Sequence, residues 1–271
     1  MLTTLVSPVA AVEASAKSST QGWTLTQQYQ FAQAQQVFAD ELITNPSIAN
    51  RNTRLGAAMA MLNHPALKSK DREASLDELQ QLWDSRGKTP DRVGFWAGYS
   101  LGRWSQNYDS PPDFDLSNTW YERTASAGDD HYIAQLARLK SVGLWLYAPL
   151  KSNPNPATRV SEALAMDSKI TDRGLRISYL ILLIDGMLLH QSDHQDVLTR
   201  LQEIWALNIP ASDTRAKTLC QLGTLSAMVG YQEQAIAYYR QFLVEFPADI
   251  RTQLVRDRLA ELVSTSKGGQ P

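Results

Sequence analysis

The stretch "QLGTLSAMVGYQEQAIAYYRQFLVEFPAD", residues 221–249, decides the fold. It reads as two helices folded back on each other, with Gly230 at the turn between them. Gly223 precedes Ala235 by twelve residues, and Pro247 follows Ala235 by another twelve. Each position has a packing reason. Gly223 and Ala235 are small, so two helices can approach closely there. Tyr239 is large and fills the groove beside them. Pro247 cannot continue a helix and ends the second one. One such unit cannot bury both of its faces, so it needs stacked neighbours.

The same spacings occur near the start. Gly22 precedes Ala34 by twelve residues, and Phe38 and Pro46 follow at the offsets of Tyr239 and Pro247. Phe31 stands near the turn, and Leu42 matches Leu243. After Pro46, "NTRLGAAMAMLNH" opens a further helix with Leu55-Gly56 in the small-residue position. In the middle, "FWAGYSLGRWSQN" carries Leu101-Gly102 at the same place. The loop "YDSPPDFD", 108–115, is too rich in Pro and Asp for a helix. The next helix then has Ser117 where the other copies have alanine.

These positions resemble the tetratricopeptide repeat, a helix–turn–helix unit of about 34 residues. The run Trp120-Tyr121-x-x-x-Ala125-x-x-Gly128 is similar to the sel-one-like variant of that family. The resemblance covers most of 22–264, closely at both ends and loosely between. It implies an all-α, right-handed α-solenoid of antiparallel helix pairs whose first helices line a concave groove. That in turn implies a non-enzymatic scaffold holding another protein or a peptide. Trp96, Tyr99 and Arg103 share one face of a first helix, and Asn52 and Gln221 are further polar groove positions by the same resemblance. Gly22, Ala34, Phe38, Pro46, Gly56, Gly102, Gly223, Ala235, Tyr239 and Pro247 are expected to be packing parts.

Outside these copies, "KSNPNPATR" from Lys151 reads as a Pro/Asn turn. Helices are expected over about 156–167, 170–190 and 194–206, the last with Leu198, Leu201, Ile204 and Trp205 on one face. The final helix, "ADIRTQLVRDRLAELVS", suits a solenoid cap, and "TSKGGQP" a flexible tail. The expected organisation is a leader over 1–21, helical-repeat halves over 22–150 and 151–264, and a tail over 265–271.

Composition bounds the chemistry. The 271 residues are 43% hydrophobic and 20% charged, with a net charge of -2. Without a basic surplus to neutralise phosphates, nucleic-acid binding is not expected. A single cysteine, Cys220, forms no internal disulfide and falls within the apolar pattern of the opening stretch. "YLILLIDGMLLH", 179–190, is too short to span a bilayer and reads as a buried helix, so no transmembrane span is expected. The leader "MLTTLVSPVAAVEASAKSS" reaches Ala14-Ser15-Ala16, which resembles a signal-peptidase site, although Pro8 and Glu13 interrupt it and no Lys or Arg precedes. Read as a truncated signal segment, it places the protein in the bacterial periplasm or outside the cell, in assembly of an envelope complex. Read as a disordered leader, it leaves a cytoplasmic helical regulatory module.

Three stretches invite a chemical reading. "HQSDHQD", 190–196, has His190 and His194 four apart, but Ser192-Asp193 looks like a turn and cap that splits them between two helices. "GDDHY", 128–132, reads as a polar inter-unit turn, and "GFWAGYSLG", 94–102, as small residues for helix packing, since no strand precedes it. No cofactor or metal is expected. A glycan-processing enzyme on a helical scaffold would need paired carboxylates facing a cleft. The aromatic residues Phe95, Trp96, Tyr99, Trp104, Tyr108, Phe114, Trp120, Tyr121, Tyr132, Trp145 and Tyr147 crowd one segment. Most are expected in the core, and a few on a binding surface.

Overall fold

The computed structural model describes residues 20–44, 51–87, 91–152, 155–210 and 212–268. All regular structure among the described residues is helical. The leader through residue 19 and Pro46 lie outside them. The chain divides into two compact units, one ending at Ser141 and the other beginning at Val142. The sequence places its soft break later, at the Pro/Asn-rich turn after 150.

The first unit contains α1 (20–27), α2 (Phe31–Thr44), α3 (Arg51–Leu62), α4 (Ser69–Asp84), α5 (Arg92–Asn107) and α6 (Phe114–Ser126). α7 (Tyr132–Tyr147) carries the boundary between the units. From α2 to α6 each helix packs on the next in sequence, and α3 also packs on α5. The second unit contains α8 (Pro156–Ala165), a 3₁₀ turn (Asp167–Lys169), α9 (Arg173–Leu189), α10 (His194–Ala206), α11 (Asp213–Met228), α12 (Gln232–Glu245) and α13 (Thr252–Gly268), again packed as sequential neighbours.

The small-and-large rule of the sequence governs the packing. A Cβ placed on Gly223 would stand 2.4 Å from the Tyr239 ring, and one on Gly102 would stand 2.7 Å from Tyr121. Phe38 fills the equivalent space for two helices at once, since a Cβ on Gly22 or Gly56 would lie within 2.6 Å of its ring. Ala34, Ala235 and Ser117 are fully buried beside these rings. Ser117 therefore takes the alanine position, and its hydroxyl donates to the Gly102 carbonyl at 2.8 Å. It comes fifteen residues after Gly102 instead of twelve because the loop 108–113 is longer than the other turns.

Local chemistry sets the helix ends. Asp91, Asp113, Asp172 and Asp193 cap α5, α6, α9 and α10, each carboxylate accepting a backbone N–H of the first turn. Gly230, at φ +87°, turns the chain between α11 and α12, the left-handed geometry that glycine adopts without cost.

Several boundaries differ from expectation. α6 begins at Phe114, because Asp113 caps it, so Phe114 and Asp115 belong to the helix and not to the loop. α8 begins at Pro156, a residue suited to a helix's first position, and takes up the end of the expected turn. The stretch expected as helix from 170 starts at Arg173, after the 3₁₀ turn. Residues 20–21, placed in the leader, are helical, and α13 continues through Gly268 into the expected tail. α4, which the repeat spacing leaves unassigned, contributes Leu79, Leu82 and Trp83 to the core of the first unit.

Candidate functional site

The aromatic segment separates into core and surface. Phe95, Tyr99, Trp104, Trp120, Tyr121 and Trp145 are buried, whereas Tyr108, Tyr132 and Tyr147 are exposed. Trp96 and Phe114 are half-buried. Of the three residues expected to share a groove face on α5, Arg103 is exposed, Trp96 is half-buried and Tyr99 is buried. Tyr99 instead supports the others. Its ring packs edge-on to Trp96 at 5.7 Å and tilted against Tyr121 at 5.7 Å. The Tyr121 hydroxyl donates to Gln106 at 2.8 Å, which fixes the far side of this aromatic row.

Arg103 makes no hydrogen bond or ion pair through its guanidinium among the described residues, and neither does the Lys140 ammonium on α7. The two cations are close enough to feel each other. Burial of Lys140, and then the Arg103 charge, hold the Lys140 ammonium below its ordinary pKa. Burial pushes the Tyr99 phenol up against the opposing pull of Arg103, and Tyr132 adds to the rise. Arg103, Tyr132 and Trp96 thus stand near the buried Tyr99, Lys140 stands near Arg103, and the two cations lack a counter-ion among the described residues. Arg103 also borders a narrow cleft with Met59, Asn63, Ser100 and Tyr108, reaching from α5 to α3.

The other expected groove residues stand elsewhere. Asn52 is exposed on the first turn of α3. Gln221, in the second unit, borders a cleft of about 220 Å³ lined by α9, α10 and α11. That cleft is bridged by Lys217, whose ammonium donates to both Asp185 oxygens at 3.0 Å.

A larger cleft, about 560 Å³, lies in the first unit on a different face of α3. α2 lines it with Gln35, Ala39 and Leu42, α3 with Arg54, Ala57, Ala58 and Met61, and α4 with Asp71, Ala74, Ser75 and Glu78. Each set recurs at helical spacing, but the three come together only when α2 and α4 diverge over α3. No sequence spacing within one helix signals it. Glu78 is tied to Arg54 at 2.6 Å.

The histidine stretches have local roles. His190 ends α9 and its Nε2 lies 2.9 Å from the Leu146 carbonyl, whereas His194 opens α10 beyond the Asp193 cap. His131 stacks flat on Phe95 at 3.9 Å, and its Nδ1 accepts the Ile133 N–H at the start of α7. Asp129 in the same turn pairs with the buried Arg138, which also donates to the Ala125 carbonyl at 2.7 Å. Burial and then the nearby Arg92 charge hold His131 below its ordinary pKa. Cys220 is buried, and burial raises its thiol pKa, which disfavours the reactive thiolate. Among the described residues no helix is long and apolar enough to cross a membrane.

Neither the protein-family models nor the curated proteins yield a match to this chain.

Proposed function

We propose that the protein is a non-enzymatic binding scaffold of tetratricopeptide type, built of antiparallel helix pairs, that holds a protein or peptide segment bearing an anionic group. The observation that carries this reading is the pair of uncompensated cations, Arg103 and Lys140, beside half-buried Trp96 and exposed Tyr132. Two cations without a counter-ion repel each other, and an incoming carboxylate relieves that repulsion. Trp96 and Tyr132 offer flat apolar area beside the charge at low entropic cost, the makeup of a binding hot spot. Tyr99 serves as a positioning residue beneath them.

Binding is favoured over catalysis because the larger cleft holds a single acid outside an ion pair, Asp71, where acid–base chemistry by paired carboxylates needs two. Glu78 is committed to Arg54, and a carboxylate held as an ion pair is poorly placed to donate a proton.

The test is co-purification from native cells with the full chain as bait, comparing wild type with R103A and W96A. A specific partner captured by wild type is expected to be lost from both variants, while their helical circular dichroism and melting temperatures hold. Capture should weaken with salt. Retention of every specific partner by both folded variants overturns the assignment.

A further inference from the structure

We propose that the cleft between α2 and α4, over α3, docks one turn-and-a-half to two turns of an amphipathic helix that presents large apolar side chains and one basic residue. This site is separate from the Arg103 face and its test does not depend on that reading.

Three observations carry the assignment. The first is shape. The α3 stripe runs from Arg54 to Met61 and the α4 stripe from Asp71 to Glu78, so each spans two helical turns, roughly 10 Å. Between them the surface is made of Ala57, Ala58 and Ala74, small residues that leave a groove into which the side-chain ridge of another helix can enter. The cleft volume of about 560 Å³ accommodates several large side chains.

The second is unburied apolar surface at the groove. Leu42 and Met61 stand half-buried on its walls. Ile43, four residues beyond Ala39 and therefore on the same side of α2, is 79% exposed. Leu42 and Met61 gain further burial when something fills the groove, and Ile43, which stands outside the lining, gains it from an occupant that extends past the end of α2.

The third is charge. Glu78 neutralises Arg54 at 2.6 Å. The Asp71 carboxylate, which also lines the cleft, makes no ion pair or hydrogen bond among the described residues, while the Asp71 carbonyl accepts from the Ser75 hydroxyl at 2.8 Å. The groove is left with one carboxylate that no cationic side chain pairs, at the first turn of α4, and a lysine or arginine on the occupant complements it. The occupant is a helix because the groove walls are themselves helices, whose backbone groups are spent internally. An extended peptide would find no strand edge to pair with there and only scattered side-chain partners such as Gln35, whereas a helix arrives with its backbone groups satisfied.

The probe is a phage-displayed library of helix-forming peptides about four turns long, randomised on one face and selected on the full-length protein. Selection on wild type is expected to enrich peptides with Leu, Ile, Met or Phe at i, i+3 or i+4, and i+7, and with Lys or Arg beside that stripe. The A74F variant, which places a ring in the groove from a position exposed in the free protein, should lose binding of the enriched peptides. D71N, which keeps shape and removes charge, should weaken them roughly three- to tenfold, by fluorescence anisotropy at low salt. R103A should bind them as wild type does. The proposal is overturned if no helix-face consensus is enriched, if the enriched peptides bind A74F and wild type alike, or if D71N leaves their affinity unchanged.

Discussion

Replacing Gly223 with alanine should destabilise the second unit, although alanine is the better helix former. In an open helix position the exchange is worth about 1 kcal/mol in favour of alanine. At 223 the new Cβ would stand 2.4 and 2.5 Å from two Tyr239 ring carbons and 2.9 Å from a third. Carbon atoms pack comfortably at about 3.5–4.0 Å, so the ring must move by roughly 1 Å. It has little freedom to do so. Tyr239 is 1% exposed and packs in the core with Leu219, Phe242 and Val255, and its hydroxyl is held 3.1 Å from the Thr224 hydroxyl. Overpacking of this kind costs about 1–3 kcal/mol in tight cores, and loss of the part-buried hydroxyl contact adds up to about 1 kcal/mol. The net expectation for G223A is a loss of about 1–3 kcal/mol. Gly143 supplies the matching control on α7, because a Cβ there meets nothing within 4 Å. G143A should be neutral or stabilising by up to about 1 kcal/mol. Urea unfolding followed by circular dichroism, together with amide exchange of α11 and α12 peptides, reads both. With a urea slope of about 2 kcal/mol per molar, a loss of 2 kcal/mol moves the midpoint by about 1 M. Y239L should partly rescue G223A, a non-additive pair, since the smaller side chain vacates the contested space. If G223A stabilises as G143A does, or if the two substitutions at 223 and 239 simply add, close packing against Tyr239 is not what glycine serves here.

Two further substitutions test the joints. D91A removes the α5 cap, in which the carboxylate accepts the Gly94 N–H at 2.8 Å, and also both contacts to Arg51 at 3.1 Å. Because Asp91 is half exposed, the expected loss is about 1–2 kcal/mol, read as a lowered melting temperature, with D91N recovering part of the cap. At acid pH, Asp249 governs part of the second unit. Hydrogen bonds from Arg251 hold its carboxyl down to about 2, against an ordinary 3.8, and Arg215 lowers Glu245 in the same direction. The unfolded chain therefore takes up these protons first as pH falls. The stabilisation is whole above about pH 5 and is lost progressively as pH drops through about 2. Melting temperatures of wild type should fall more steeply than those of D249N across that window, and parallel curves would refute the assignment.

What the sequence could and could not reveal follows from the range of the interactions involved. Gly22, Gly102 and Gly223 and their large partners Phe38, Tyr121 and Tyr239 were legible because the two helices of a pair are close in sequence, so a packing need becomes a fixed spacing. Ser117 was legible for the same reason, despite the longer loop before it, because its small side chain and its offset to Tyr121 are preserved. α4 was not, because Leu79, Leu82 and Trp83 gain their burial from α3 and α5, and the glycine that marks the approach, Gly98 against the Trp83 ring, stands outside the repeat spacing. The α5 face was half legible. Periodicity puts Trp96, Tyr99 and Arg103 on one side, but only the neighbouring Tyr121 decides that Tyr99 is buried while Arg103 is left exposed. Lys140 joined that group only through the packing of the first unit, since its proximity to Arg103 spans two helices. The cleft over α3 belongs wholly to the tertiary level. Its three stripes are ordinary helix surfaces one by one, and they become a groove only where α2 and α4 part. Helical character and pair packing were set by short-range sequence terms, whereas the surfaces available for binding were set by how unlike helices came to lie side by side.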